Sequence, residues 1–506
     1  MLAKIHTATT VGLMGTPVDV EVDVAGRGFP TFTIVGLPNK SIDEAKDRVR
    51  TAVVNAGYEM PDSRITVNLA PADIPKSGSS FDLAIAIGIL CASGMIDTDL
   101  LEKSMMIGEL SLEGAVRRIN GIIPLLILAQ EMGTENIFLP SGNVGEIVAF
   151  DEIRVYPVPT LLALIHHLER KKQIEVFKPN GISHKKKKSR MIYDFLQIKG
   201  QEQAKRALEI AAAGFHNVHL KGPPGAGKTL LARSFPTILP RMSKKEILDV
   251  AKIYSVVGQM TDDIFEGIRP FRAPHHTTSR TGLIGGGSQP SPGEISLSHR
   301  GVLFLDEFPE FPRHVLEALR QPIEDGVVTI SRAAGSLTYP ARFLLLAASN
   351  PCPCGFLGHP TKQCKCLPGV VVKYKKRLSG PLLDRIDLHV DVPPVAVEKL
   401  SDEAAGEASE VVRSRIDKAR ERQNKRYADS QFQFNSEMTS SDIEKYIVLE
   451  KEAKKILHRA VDRLSLSARS YFKTIKVAQT IADLEASDTV KSHHVAEALQ
   501  YRSQDV

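Results

Sequence analysis

No stretch of the chain is apolar for long enough to cross a membrane, which takes about 20 consecutive residues in a helix. A helical membrane protein is thereby excluded, and no membrane partner is expected. Charge of one sign is also scarce. The 65 Lys+Arg stand against 59 Asp+Glu, a balance of +6 that does not by itself name a polyanionic partner. Cysteine is rare: five in 506 residues, four of them between Cys352 and Cys366. In a reducing compartment such a cluster favours a metal over disulfides. The opening Met1-Leu2-Ala3-Lys4 lacks the apolar core of a signal peptide, so a cytoplasmic protein is expected. What is present is ordinary globular material, 42 % hydrophobic and 25 % charged, enough for about three domains.

Two stretches carry the clearest chemistry. Val218–Leu220 is a short apolar strand, followed by Gly222-Pro223-Pro224-Gly225-Ala226-Gly227-Lys228-Thr229, which fits G-x-x-x-x-G-K-[ST]. Such a loop turns successive backbone N–H groups toward phosphates, and the helix opening at Lys228 adds its N-terminal field. Gly222, Gly225 and Gly227 let the backbone approach without a Cβ in the way. Lys228 has the reach for β/γ-phosphates, and the Thr229 hydroxyl suits Mg²⁺. Downstream, Val302–Leu305 is a buried apolar strand ending in Asp306-Glu307. Asp306 suits the Mg²⁺ shell and Glu307 the polarising of an attacking water.

Phe343–Ala348 is a further apolar strand, ending at Ser349-Asn350, where a polar side chain beside the Asp306 strand can hold that water. Arg385, on an exposed turn within Ser379–Asp387, suits the charge of a γ-phosphate transferred in a neighbouring subunit. Arg469 stands at the start of a later helix. Ile198 and Gly200 precede the helix Glu202–Ala213 and are expected against the adenine. The alternation of strands and helices predicts a three-layer α/β core with a mainly parallel sheet.

Ahead of this motor, residues 1–170 read as an α+β domain. Leu2–Thr9, Val18–Val24, Thr31–Val35 and Ile65–Leu69 read as strands, and Ser41–Asn55, Leu83–Leu90 and Pro124–Met132 as helices. Met105–Leu110 and Ala115–Ile119 read as a hairpin. Pro75–Asp82 and Ile107–Gly114 resemble the proteolytic domain of Lon-type proteases, a fold of the ribosomal S5 domain 2-like kind. That resemblance implies a nucleophile at Ser80 and a lysine base at the position of Ile123. Isoleucine takes no proton, and a serine hydroxyl needs a base at neutral pH, so a protease-like fold without proteolysis is expected. Residues 171–190 hold seven Lys and one Arg against one acid, as a solvated tether or a phosphate contact.

Asp194–Gly214, Gly222–Thr229, Arg269–Ser279, Pro292–Leu297 and Asn350–Gly355 together resemble AAA+ ATPases of the magnesium-chelatase-like branch, and most closely the YifB/ComM family. The resemblance spans nearly the whole chain. It implies a motor over residues 191–394, a helical lid over 395–506, and ATP with Mg²⁺. It also implies sensor-1 at Asn350, an arginine finger at Arg385, sensor-2 at Arg469, and a homo-oligomeric, hexameric ring. ComM-like members are similar to helicases that drive branch migration of recombining DNA in natural transformation, which implies branched or single-stranded DNA as partner.

Two insertions, Gly258–Ser298 and the hairpin Gly326–Pro340, face the central pore in related motors. Arg272, His275, His276 and Arg332 are then expected on DNA phosphates; a plain surface loop, or a core histidine pair, is the alternative. In the Cys-rich insertion 350–368, Cys352, Cys354, Cys364 and Cys366 supply four thiolates, a closed tetrahedral and structural Zn²⁺ set. Val411–Arg426 reads as a basic helix that, with Lys373, Lys375, Lys376 and Arg377, is either a solvated face or a DNA footprint. The leading expectation is an ATP-hydrolysing ring motor acting on DNA. A magnesium-chelatase motor subunit is one alternative, against which the front domain and the cysteines count. An ATP-dependent protease-related chaperone is the other, against which Ile123 counts.

Overall fold

A computed structural model describes residues 2–26, 29–36, 40–72, 76, 78–97, 101–147, 153–178, 193–287, 290–332, 335–395, 406–464 and 466–502. Most of the basic stretch expected as a tether, residues 179–190, lies outside them. The chain divides into two compact units, one made of Met1–Lys186 with Leu248–Phe265, the other of Lys187–Ile247 with Glu266–Val506. The expected boundaries had placed Leu248–Phe265 in the motor.

The first unit holds a mixed seven-stranded sheet: β1 (Leu2–Val11), β2 (Met14–Val24), β3 (Thr31–Val35), β4 (Arg64–Ala70), β5 (Ser104–Met106), β6 (Asn136–Pro140) and β7 (Arg154–Val158). Its order is β3-β4-β2-β1-β5-β6-β7. The helix Asp82–Ala92 packs on β1 and β2 and is buried at every residue, which is why it shows no polar face. The single helix expected over 41–55 is broken at Glu44 into Lys40–Asp43 and Ala45–Asn55. The expected long hairpin is shorter: Met105 belongs to the sheet, and only Glu109–Leu110 and Val116–Arg117 pair. Ser255 is built into this unit. Its carbonyl accepts the Gly121 N–H at 2.8 Å, and its hydroxyl donates to Glu146 at 2.9 Å.

The second unit is organised by five parallel strands: β8 (Val218–Lys221), β9 (Phe271–Arg272), β10 (Val302–Leu305), β11 (Leu344–Ser349) and β12 (Leu388–Asp391), in the order β9-β10-β11-β8-β12. Every residue of β10 and β11 is buried, as near-continuous apolar runs require when both sheet faces are covered. Phe271-Arg272, expected inside an insertion, is instead the edge strand beside β10.

Helices Ser409–Arg426, Ser440–Tyr446, Lys451–Leu464, Ala468–Leu484 and Ser492–Gln500 complete this unit. Buried polar bonds fix them to the sheet. Lys473 Nζ lies 2.9 Å from Asp387, the Asn217 N–H donates to the same carboxylate at 3.0 Å, and the His216 ring meets the Thr480 hydroxyl at 2.8 Å. The basic helix Ser409–Arg426 is not simply a solvated face. Arg415 pairs with Glu209 and Glu407, Arg422 with Asp488 and Arg426 with Asp483. Arg420 lies 3.8 Å over the Phe434 ring and donates to the Gln433 carbonyl, and burial pushes its pKa down to about 10.

Burial acts to raise the Asp387 pKa, but the charge of Lys473 and the bonds from His216 and Lys473 more than offset it, so the carboxyl titrates well below its usual range. A carboxylate with a depressed folded pKa contributes stability above its unfolded pKa of about 4, and that stability is lost as pH falls below it. Asp387→Ala should cost about 3–5 kcal/mol near neutral pH, because Lys473 is left buried without its partner. Denaturant melts of parent and variant should draw together as the pH is taken below about 4.

Candidate active site

The carboxyl ends of β8, β10 and β11 meet at one edge of the sheet, where open α/β folds bind ligands. The loop leaving β8 is held by the Gly222 N–H on the Ser349 carbonyl at 3.1 Å and the Val392 N–H on the Lys221 carbonyl at 2.7 Å. A Cβ on Gly222 would sit 2.2 Å from the Val392 oxygen, so no other residue fits there without movement. Gly225 and Gly227 take φ of 80° and 89°, a backbone that L side chains rarely adopt. Pro223, Pro224 and Ala226 complete the loop, and Ala226 is buried in the same core as Ile198.

Lys228 opens the next helix. Its ammonium donates to the carbonyls of Gly222 at 2.6 Å and Pro223 at 2.9 Å, and to Asn350 Oδ1 at 3.1 Å. Burial holds its pKa below the ordinary value, against the pull of Asp306. The Thr229 hydroxyl donates to Asp306 Oδ2 at 2.8 Å. A hydroxyl and a carboxylate converging beside a phosphate loop are a donor set that fits Mg²⁺. Glu307 follows in a left-handed conformation, φ 50°, and its carboxylate lies 3.2 Å from His276 Nδ1. For a non-glycine residue that backbone costs about 1–3 kcal/mol, a strain that clusters at functional sites.

Ile198 is buried, and Gly200 precedes Gln201, which is also left-handed at φ 60°. Gln201 Nε2 donates to the Ala226 carbonyl at 3.1 Å and the Pro393 carbonyl at 2.6 Å. It thereby ties Ile198 and Gly200 to the phosphate loop. Sequence reasoning passed over Gln201, whose only local signal is its place after a glycine at a helix start.

Arg469 stands at the start of the helix Ala468–Leu484, as expected, but Arg385 is placed otherwise. Arg385 is not on an exposed turn: its side chain is 10 % exposed and donates to Glu324 at 2.6 Å and to the Pro381 carbonyl at 2.6 Å. Arg469 donates to the other oxygen of Glu324 and lies 3.5 Å from Asp384. Glu324 is therefore the acid that both arginines share.

Among the insertion residues, Arg272 is held by Glu294 through two bonds of 2.6 and 2.7 Å. His275 bonds Thr277 at 2.9 Å and stacks on His276, ring centroids 4.1 Å apart, and His276 reaches Glu307. This histidine pair is thus neither a core pair nor a free loop. Arg332 closes the hairpin opposite Gly335, and its side chain lies outside the described part of the structure.

Cys352, Cys354, Cys364 and Cys366 place their four sulfurs within 4.8 Å of one another. The spacings include 3.4 Å for Cys352–Cys354, 3.7 Å for Cys352–Cys364 and 3.6 Å for Cys354–Cys364. Zinc–sulfur bonds of about 2.3 Å in a tetrahedron give edges of about 3.8 Å, so the four thiols fit a Zn²⁺ ion. A Cβ on Gly355 would fall 2.3 Å from Pro224 Cδ, so the cysteine loop lies directly against the phosphate loop. In the first unit, Ile123 is fully buried and donates its N–H to the Ser255 hydroxyl at 3.3 Å.

Family models agree with this layout. Residues 194–400 match the model described as magnesium chelatase, subunit ChlI, residues 406–502 match its C-terminal model, and residues 20–143 match one described as subunit ChlI of Mg-chelatase. YifB of Salmonella typhimurium is 42 % identical over 505 residues, covering 100 % of this chain and 97 % of its own. Competence protein ComM of Haemophilus influenzae is 42 % identical over 508 residues, covering 99 % and 97 %. The chain belongs to the YifB/ComM family. Members of this magnesium-chelatase-like family are AAA+ ATPases. The magnesium-chelatase 38 kDa subunit of Rhodobacter capsulatus is 28 % identical over 181 residues, covering 32 % of this chain and 52 % of its own. Among the described residues no helix is long and apolar enough to cross a membrane.

Gly222→Ala tests the geometry of this edge of the sheet. The added methyl meets a backbone oxygen that cannot swing away, so we expect a loss of about 1–3 kcal/mol in thermal unfolding and no saturable binding of a fluorescent ATP analogue.

Proposed function

We propose that this protein is one protomer of a homo-oligomeric, hexameric ATPase ring that moves branched or single-stranded DNA. Its role is that of a branch-migration helicase in recombination during natural transformation. The observation that carries the ring reading is the partnership of Arg385 and Arg469. Both converge on Glu324, while the phosphate site of the same chain is made by Lys228, Thr229, Asp306, Glu307 and Asn350. An arginine that stabilises a transferring phosphoryl group can be supplied in trans, and these two guanidiniums suit a neighbour's γ-phosphate. End-to-end likeness to a protein named competence protein ComM supports the DNA reading.

In this scheme Gly222–Thr229 cradle the phosphates, Ile198 and Gly200 border the adenine, and Thr229 with Asp306 hold Mg²⁺ through oxygen. Glu307 takes the proton of the attacking water and Asn350 orients that water. The hairpin Gly326–Pro340 and the loop with His275 and His276 face the DNA. The front unit is read as Lon-protease-like and proteolytically inactive. Apolar burial of Ile123, with its N–H on Ser255, supports the loss of the base. Cys352, Cys354, Cys364 and Cys366 hold a structural Zn²⁺, consistent with their spacing.

A magnesium-chelatase role is the second reading, because all three family models carry that description. The front unit does not argue against it, since residues 20–143 match one of those models. Identity argues against it: the chelatase subunits are 22–28 % identical over 32–62 % of this chain, and YifB is 42 % identical over 100 %.

Forked or four-way-junction DNA should stimulate ATP hydrolysis, and Lys228→Ala and Glu307→Gln should each abolish turnover, Glu307→Gln while still binding nucleotide. Hydrolysis indifferent to DNA at low salt would defeat the DNA reading. Arg385→Ala should lose about 10³-fold or more in turnover, as arginine fingers do, and regain activity when mixed with Lys228→Ala protomers. Elemental analysis of untagged protein should find about one zinc per chain. Cys364→Ser should lose the metal and, through the contact of Gly355 on Pro224, weaken nucleotide binding.

A further inference from the structure

Glu324 is the last acidic residue but one of the helix Arg320–Asp325, directly ahead of the hairpin. Its two carboxylate oxygens are divided between two guanidiniums, Oε2 to Arg385 at 2.6 Å and Oε1 to Arg469. Burial acts to raise its pKa, but the bond and charge of Arg385 and the charge of Arg469 hold it below the usual carboxylate range. One carboxylate therefore serves two guanidiniums, of which Arg469 has a second, longer contact of 3.5 Å to Asp384. Arg385 Nε is buried with no acceptor among the described residues. An acceptor with more oxygens and more charge than a carboxylate gains by taking Glu324's place. The three residues also border an open cavity of about 1180 Å³, wide enough to admit a group from outside the protomer.

The root of the hairpin has little slack. Gly326 ends the helix at φ 66°, its carbonyl accepts the Ala341 N–H at 2.7 Å, and a Cβ on it would lie 2.8 Å from Arg342 Cγ. Six residue pairs, Val327–Pro340 through Arg332–Gly335, then tie the two strands together. A shift of the helix that carries Glu324 is passed to both strands at once.

We propose that Glu324 holds, in the separate protomer, the place that the terminal phosphate of a neighbour's nucleoside triphosphate takes in the ring. Surrender of Arg385 and Arg469 to that phosphate releases Glu324 and the hairpin root with it. The inference rests on the ring reading above. It makes Glu324 a positioning residue that couples phosphate capture in one protomer to hairpin placement in the next. A ligand that must first break an internal contact binds more weakly by the fraction of molecules already open, so removing the contact tightens it.

The test uses the full chain with Glu324→Gln, which keeps the shape and removes the charge, and Glu324→Asp, which is too short to reach both arginines. Turnover is measured against ATP concentration with and without junction DNA, alongside sedimentation with a slowly hydrolysed ATP analogue. Glu324→Gln should assemble and reach half-maximal turnover at about fivefold less nucleotide or lower, the scale of a typical site-to-site coupling. Its stimulation by DNA should fall toward onefold. Glu324→Asp should move the same way by less. Parental nucleotide dependence and parental stimulation in a folded Glu324→Gln protein would overturn the proposal. So would turnover lost as fully as in Arg385→Ala, because Glu324 would then be a plain strut for the arginines. If Arg385→Ala itself turns over at the parental rate, or the parent never assembles with nucleotide, the ring reading fails as well. A fall of the melting temperature in both Glu324 variants with no shift in nucleotide dependence assigns Glu324 to stability alone.

Discussion

The parallel alignment of β10, β11 and β8 is the constraint on which the ATP site depends. Leu305 pairs with Ala347 on one side of β11, and Leu220 pairs with Ala348 on the other. The strands run the same way, so their three exits open on one edge. Asn350 leaves the middle strand between the phosphate loop on one flank and Asp306-Glu307 on the other. The bond from Lys228 to Asn350 spans that arrangement. An antiparallel middle strand would send Asn350 to the opposite edge and leave the ammonium with backbone carbonyls alone. Those carbonyls do a second thing. They hold a buried cation through dipoles, with no carboxylate hydrogen-bonded to it among the described residues, so an incoming phosphate gains a charged donor.

The sequence was legible where a residue's fate depends on its neighbours along the chain. The runs 302–305 and 344–349 read as strands because burial on both faces leaves no polar alternation. The phosphate loop reads from glycines whose role is local, and the cysteines read because four ligands lie close together in sequence. Where the fate depends on a distant partner, the signal is absent. Arg385 looked exposed in a Gly-Pro turn, and its burial depends on Glu324, 61 residues upstream. His276 looked like a loop histidine, and only the folded chain brings it to Glu307. Phe271-Arg272 is two residues long, too short for any periodicity, and its strand character comes wholly from β10 beside it. The break of the front-unit helix at Glu44 has no breaker residue to announce it, and the structure gives no local cause beyond a turn there.

Charge shows the same divide between composition and use. The helix Ser409–Arg426 is rich enough in arginine to suggest a phosphate-binding face. Yet Arg415, Arg420, Arg422 and Arg426 all have partners inside the protein, and Arg420 is buried. Arg272 on the edge strand β9 is likewise committed to Glu294. Guanidiniums are suited to such duty, since their planar donors match a carboxylate in two places and the stem covers apolar surface. A net charge of +6 is therefore a poor guide to any DNA-facing surface. Positions that remain eligible are those whose heads have no strong internal claim, which an arginine count does not reveal.

The cysteine loop gives the clearest link from an accessory feature to the chemistry. Cys352 follows Asn350 by two residues and is fully buried, while Gly355 lies against Pro224 with no room for a methyl group between them. The backbone that presents Asn350 to Lys228 is thus the same backbone that enters the thiol cluster. Without a cross-link, the loop of residues 355–363 offers little apolar surface to keep it ordered, since Leu357 is 41 % exposed. A metal held by four thiolates would supply that order from one end and brace the phosphate loop from outside. The cluster thus braces Asn350 and the loop Gly222–Thr229 together, at the sheet edge where the core beneath them ends.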